Sequence, residues 1–232
     1  MREICGTTVA FAVCALTLVN AGADAPNFRI ATFSADVTVP LNHRCMGILP
    51  TKSKFVKDPL EARGFVLLGA EKPIAVVAVD WCEIRNGAYD QWRDAVASAA
   101  GTSRERVLVT SLHQHDAPVV DAGAAKLLRD VGLPDELYDE AFHAEVLQRV
   151  ATAVKEALPK AVPVTHVGTG QGKVKMLASN RRVVLEDGRV TFGRGSRSGG
   201  DAFMSAAPEG QIDPFVKTIS FWNQETPIAA LS

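Results

Sequence analysis

Three short apolar runs constrain this chain more than any other feature. Residues 65–68, 74–79 and 106–112 are apolar or rich in β-branched side chains, are short enough for buried strands and are bounded by turn residues. Two helical stripes are interleaved with them. Tyr89 to Ala100 sets Trp92, Val96 and Ala99 at spacings of three and four, with Gly101 as the stop. Residues 135–158 predict the longest helix, with Leu137, Ala141, Ala144, Leu147, Val150, Val154 and Leu158 in one stripe and Pro134 and Pro159 at its ends. His143 lies beside that stripe and reads as a packing residue.

After Pro159 the texture changes. Residues 162–176 read as extended, and Val183 to Leu185 and Val190 to Phe192 flank Asp187-Gly188, a hairpin signal. Residues 196–208 form a loop of small residues, and Val216 to Trp222 with Ile228 to Leu231 predict a second hairpin. The expected fold class is α/β: a mixed sheet with flanking helices and late antiparallel hairpins.

The first two dozen residues do not belong to that fold. Arg2 carries a positive charge, residues 9–19 are apolar, and Ala21-Gly22-Ala23 offers small residues at a signal-peptidase site. Residues 1–23 are therefore expected to be a cleaved signal peptide, with Asp24 as the mature N-terminus of a secreted or periplasmic domain over residues 24–232. The apolar run is too short to span a bilayer as a helix. Lysine plus arginine number 25 against 26 acidic residues, and no dense basic stripe is present, which excludes a nucleic-acid binder. At most peripheral contact with a membrane is expected. Cleavage leaves Cys45 and Cys82, either as one disulfide or as two buried free thiols.

The chemistry centres on Ser111-Leu112-His113-Gln114-His115-Asp116, directly after the third apolar run. In extended backbone, side chains at i and i+2 share a face, so His113 and His115 are expected to converge. Imidazole is a common zinc ligand, and a carboxylate can orient it through its second nitrogen. Asp116 and Asp121 are candidates for that orienting role. Two ordinary polar residues at a strand exit would give the same pattern, and zinc needs a third ligand and often a fourth. His43, His143 and His166 are available, but nothing in their context selects one of them.

The order of segments is more specific. Ala35-Asp36-Val37-Thr38, Met46-Gly47, Asp58-Pro59-Leu60-Glu61-Ala62-Arg63, the strand ending in Asp80, Ser111-Leu112-His113-Gln114-His115, Asn180-Arg181 and Asp213-Pro214 follow one another. This set resembles the N-terminal catalytic domain of neutral/alkaline ceramidases and their secreted bacterial relatives, over nearly all of residues 24–232. The resemblance implies zinc-dependent attack of water on the amide carbonyl of an N-acylated sphingoid base. It implies one zinc ion, with His113 as a ligand, His115 beside the reacting groups and moving a proton, and Arg181 near a small lipid-amide substrate. Without the resemblance, Arg181 reads equally well as a surface charge beside Arg182.

The departures narrow that expectation. Where family members commonly carry Ser-Gly-Pro-Gly-Gly after the second histidine, this chain reads Asp116-Ala117-Pro118-Val119-Val120. Asp116 adds a charge unsuited to long acyl chains, so a different amide or ester is expected as substrate. The resemblance also places a second zinc histidine, a glutamate and a tyrosine beyond Ser232. An incomplete site is therefore expected, with little amidase activity, an apolar edge at Ile228 to Leu231 prone to association, and a downstream segment that would restore both. A secreted, non-catalytic binding module that retains the fold is the alternative. A two-metal phosphoesterase ranks last, because the sequence lacks the dense Asp/Asn/His pattern such sites need.

Overall fold

The computed structural model describes residues 28–46, 51–69, 71–176, 178–195 and 198–232. The expected signal peptide, Cys5, Cys14 and Gly47 lie outside the described residues. In chain order the strands and helices are β1 (Arg29–Asp36), β2 (Glu61–Leu68), β3 (Ile74–Val79), β4 (Glu83–Arg85), α1 (Asn86–Ala100), β5 (Val107–Ser111), β6 (Val119–Asp121), α2 (Ala122–Asp130) and α3 (Glu140–Ala157). Then follow β7 (Val162–Pro163), β8 (His166–Lys173), β9 (Val183–Val184), β10 (Val190–Thr191), α4 (Ala202–Ala206), β11 (Phe215–Asn223) and β12 (Thr226–Leu231). No described helix is long and apolar enough to cross a membrane.

Five strands form the main sheet in the order β5-β3-β2-β1-β7. β3 and β5 run parallel, and the other neighbours are antiparallel, so the sheet is mixed as expected. The α1 helix supplies the crossover that a parallel pair requires. Alternate residues divide between the two sheet faces. Ala31, Phe33, Ala62, Val66, Ala75, Val77, Val79, Val107 and Val109 join Trp92 and Val96 of α1 and Val146, Val150 and Val154 of α3 in the main core. On the other face, Ile30 and Phe65 pack against Phe221 of a three-stranded sheet, β12-β11-β8. The result is a helical layer, a central sheet and a smaller sheet. Gly64 opposes Phe33 in the register, and a Cβ there would fall 2.6 Å from the Phe33 ring and 2.4 Å from the Val76 carbonyl oxygen. Only glycine admits that close approach.

The two expected hairpins form, β9–β10 with Gly188 at φ 80° in its turn, and β11–β12. Gly101 closes α1 in the left-handed conformation at φ 67°. Five features differ from the sequence-based expectations. The long helix starts at Glu140 rather than Asp135, because Asp135 has φ 59° and Asp139 caps the helix by accepting the Phe142 N–H at 2.9 Å. Its buried face is Phe142, His143, Val146, Val150, Val154 and Ala157, whereas Ala141 and Ala144 are exposed. The bulkier Phe142 and Val146 win the core over the alanines. Neither β1 nor α2 was anticipated, and the small-residue loop contains α4.

Candidate metal centre

The parallel register pairs Val79 of β3 with Ser111 of β5, so both strands leave the sheet at the same edge. Their exits stay zipped together: the Leu112 N–H donates to the Val79 carbonyl at 3.0 Å and the His113 N–H to that of Trp81 at 3.1 Å. The Cys82 and Glu83 N–H groups both donate to the Pro118 carbonyl, at 3.1 and 3.3 Å, as the chain enters the parallel β4–β6 pair. Trp81 anchors this frame from below. It is buried, its indole N–H donates to the Val37 carbonyl at 3.0 Å, and it meets Trp92 edge-on at 5.4 Å.

Cys82, Glu83 and His113 converge on this rigid corner. The sulfur of Cys82 lies 3.9 Å from Nδ1 of His113, and Oε1 of Glu83 lies 3.4 Å from the same nitrogen. All three donor atoms fall within 4.8 Å of one another. Cys82 is buried at 1% exposure, while the His113 side chain is 60% exposed, so the group opens to solvent on the histidine side. Burial and, second, the Glu83 charge push the Cys82 thiol above its ordinary pKa. The other oxygen of Glu83, Oε2, is held by Arg85.

His113 and His115 do meet, with ring centroids 5.2 Å apart in an edge-on contact. The route is not the expected one, since His113 has φ 58° and the backbone there is left-handed rather than extended. Asp116 is exposed, and its N–H donates to the Gln114 side-chain oxygen at 2.8 Å. Its charge acts on Cys45, whose thiol is pushed up by burial first and by Asp116 second. Asp121 caps α2 by accepting the Ala124 N–H at 3.0 Å, and it accepts from the Asn86 amide at 2.7 Å. Burial opposes ionisation of Asp121, but those donors outweigh it and the pKa lies below the ordinary value. Among the described residues, neither aspartate hydrogen-bonds to an imidazole.

The remaining candidates lie elsewhere. Arg181 is exposed in the segment before β9, and no hydrogen bond or ion pair among the described residues joins it to His113 or His115. His43 is buried with both ring nitrogens engaged, Nδ1 on the Arg44 carbonyl at 2.7 Å and Nε2 accepting the Asp139 N–H at 3.1 Å. His143 is buried against Trp81, Trp92 and Tyr138. His166 is exposed beside Thr165. Cys45 and Cys82 are both buried free thiols, so the open choice between a disulfide and free thiols falls to the second.

Sequence reasoning passed over Cys82 and Glu83 as metal donors. The signal that reaches them is topological: once residues 74–79 and 106–112 are taken as parallel neighbours, the residues just after both runs must share one corner.

Two solved structures share this architecture. The crystal structure of neutral ceramidase from Pseudomonas aeruginosa matches with a TM-score of 0.61 and 18% identity, over 89% of this chain and 31% of that one. A ceramidase complexed with C2 matches with a TM-score of 0.62 and 19% identity, over 89% of this chain and 30% of that one. The chain thus spans about a third of the length of these neighbours. No protein-family model and no curated protein sequence matches it. The fold is ceramidase-like.

Proposed function

We propose that this chain carries part of a zinc-dependent hydrolase acting on an N-acyl amide or a related ester, exported through its N-terminal leader. The observation that carries the reading is His113 at the exit of the β3–β5 pair, on a ceramidase-like fold, with its ring against His115. The local donors fit the ion: an imidazole nitrogen, a carboxylate oxygen and a sulfur are the ligand types zinc takes. His113 would hold it. When bound, zinc supplies Lewis-acid polarisation of the acyl carbonyl and an activated water near neutral pH.

His115 stands next to that ligand and is exposed, which suits a residue that takes and returns a proton. Asp116 follows His115 directly in the chain and is exposed, and a carboxylate there favours short or polar acyl groups over a long acyl chain. Arg181 is assigned to substrate contact on its Asn180-Arg181 context alone. The zinc content of the purified chain, of His113→Ala and of His115→Ala tests the reading. Zinc near one per chain should be lost in His113→Ala and kept in His115→Ala. Hydrolysis of short-chain N-acyl amines and of a fluorogenic N-acyl-sphingosine should be slight in the wild-type chain, as an incomplete site predicts, and lower still in both variants. Zinc retained equally by His113→Ala would defeat the assignment.

A further inference from the structure

We propose that Cys82 and Glu83 complete, with His113, a three-donor site for a thiophilic divalent cation such as zinc, with the Cys82 sulfur as a ligand. The inference rests on the reading of His113 as a metal ligand and adds the atoms that hold the ion with it. A tetrahedral ion at ordinary zinc bond lengths separates a nitrogen and an oxygen ligand by about 3.4 Å, and a nitrogen and a sulfur ligand by about 3.6 Å. The corresponding separations here are 3.4 Å from His113 Nδ1 to Glu83 Oε1 and 3.9 Å from His113 Nδ1 to Cys82 Sγ. Small side-chain adjustments therefore bring both pairs to bonding geometry.

Three further observations point the same way. The backbone that carries these side chains is fixed, because the N–H groups of all three residues are bonded to the Trp81 or Pro118 carbonyls. Glu83 has its carboxylate divided: Arg85 holds Oε2 and orients the group, while Oε1 faces the cluster. Such an outer partner is what fixes a metal-binding carboxylate in place. The sulfur comes from the buried side and the imidazole from the exposed side. A fourth tetrahedral position is thus left toward solvent, as catalytic zinc sites require. A sulfur ligand also selects among metals, favouring zinc, cobalt or cadmium over magnesium or calcium.

Cobalt(II) titration of the purified chain, followed by absorbance, reads this site without any assay of activity. Tetrahedral cobalt bound through sulfur shows a near-ultraviolet thiolate-to-cobalt charge-transfer band together with visible d–d bands. The wild-type chain and a variant with Cys5, Cys14 and Cys45 replaced by serine should both show that band. Cys82→Ser should lose it and bind cobalt about 10- to 100-fold more weakly, and Glu83→Gln should keep it with a similar loss of affinity. Far-ultraviolet circular dichroism checks that each variant is folded. X-ray absorption at the zinc edge of the loaded wild type needs no variant at all, and should find one sulfur scatterer at about 2.3 Å. Saturating cobalt with no sulfur band, or an unchanged band in Cys82→Ser, overturns the inference. If such sulfur-free binding is still abolished by His113→Ala, the metal reading of His113 survives that loss. A folded wild-type chain that binds no cobalt ends both.

Discussion

The imidazole rings of His113 and His115 meet edge-on at 5.2 Å because the backbone at His113 turns left-handed, with φ 58°. A residue with a Cβ is strained there, by about 1 kcal/mol relative to glycine. His113→Gly should therefore be more stable than His113→Ala by about 1 kcal/mol in urea unfolding, although both lose the same imidazole. Equal stability, or a more stable alanine variant, would place this turn in a different conformation.

Asp121 separates stability from metal binding. Its two oxygens are engaged by the Ala124 N–H and the Asn86 amide, and it holds the start of α2 against the N-terminal end of α1. Loss of a capping carboxylate and of a partly buried hydrogen bond costs about 2 kcal/mol together. Asp121→Ala should lower stability by about that amount and leave cobalt affinity unchanged. A fall in affinity without loss of stability would instead give Asp121 a role in orienting an imidazole.

What was legible in the sequence follows from which interactions are local. The runs at 65–68, 74–79 and 106–112, the Gly101 stop and the Asp187-Gly188 turn declare themselves within a few residues, and all appear, although β2 already begins at Glu61. The start of α3 did not, because Asp135 and Leu137 fit a helical pattern while a left-handed backbone at Asp135 and the cap at Asp139 decide the boundary. The convergence of His113 and His115 was expected from extended geometry and is reached through a turn. Cys82 and Glu83 were opaque for a further reason. Their approach to His113 depends on β3 and β5 lying side by side, and strand order is a property of the whole sheet.

The smaller sheet depends on a thin contact. Phe65 of β2 and Phe221 of β11 pack with ring centroids 5.3 Å apart, and with Ile30 they are the only buried members of that second cluster among the described residues. Phe221→Ala should cost about 3 kcal/mol, at the low end for a buried phenylalanine. The loss should be local: amide hydrogen exchange should accelerate in β8, β11 and β12 while β2 and β3 stay protected. Uniform acceleration across both sheets would mean that they unfold as one unit.

Acid should destabilise this fold through histidine before it does so through carboxylates. His143 sits on α3 among Trp81, Trp92 and Tyr138, its Nε2 has no hydrogen-bond partner among the described residues, and burial lowers its pKa from 6.5 to about 4. Above pH 6.5 the ring is neutral in both the folded and the unfolded chain, and its contribution to stability is fully present. As pH falls from 6.5 toward 4, the unfolded chain takes up a proton that the folded one refuses, so stability is lost across that window. The full shift corresponds to about 3 kcal/mol. His43 adds in the same direction, since burial lowers its pKa and its Nε2 must stay unprotonated to accept from Asp139. The lowered aspartates, Asp121 among them, titrate below their ordinary 3.8, and the lowered Glu105 and Glu136 below 4.5, so carboxylates act mostly under this window. Urea midpoints measured between pH 7 and pH 4 should fall steeply for the wild type and less steeply for His143→Leu, whatever packing that variant loses at pH 7. Parallel slopes for the two proteins would show that His143 is protonated in the folded state.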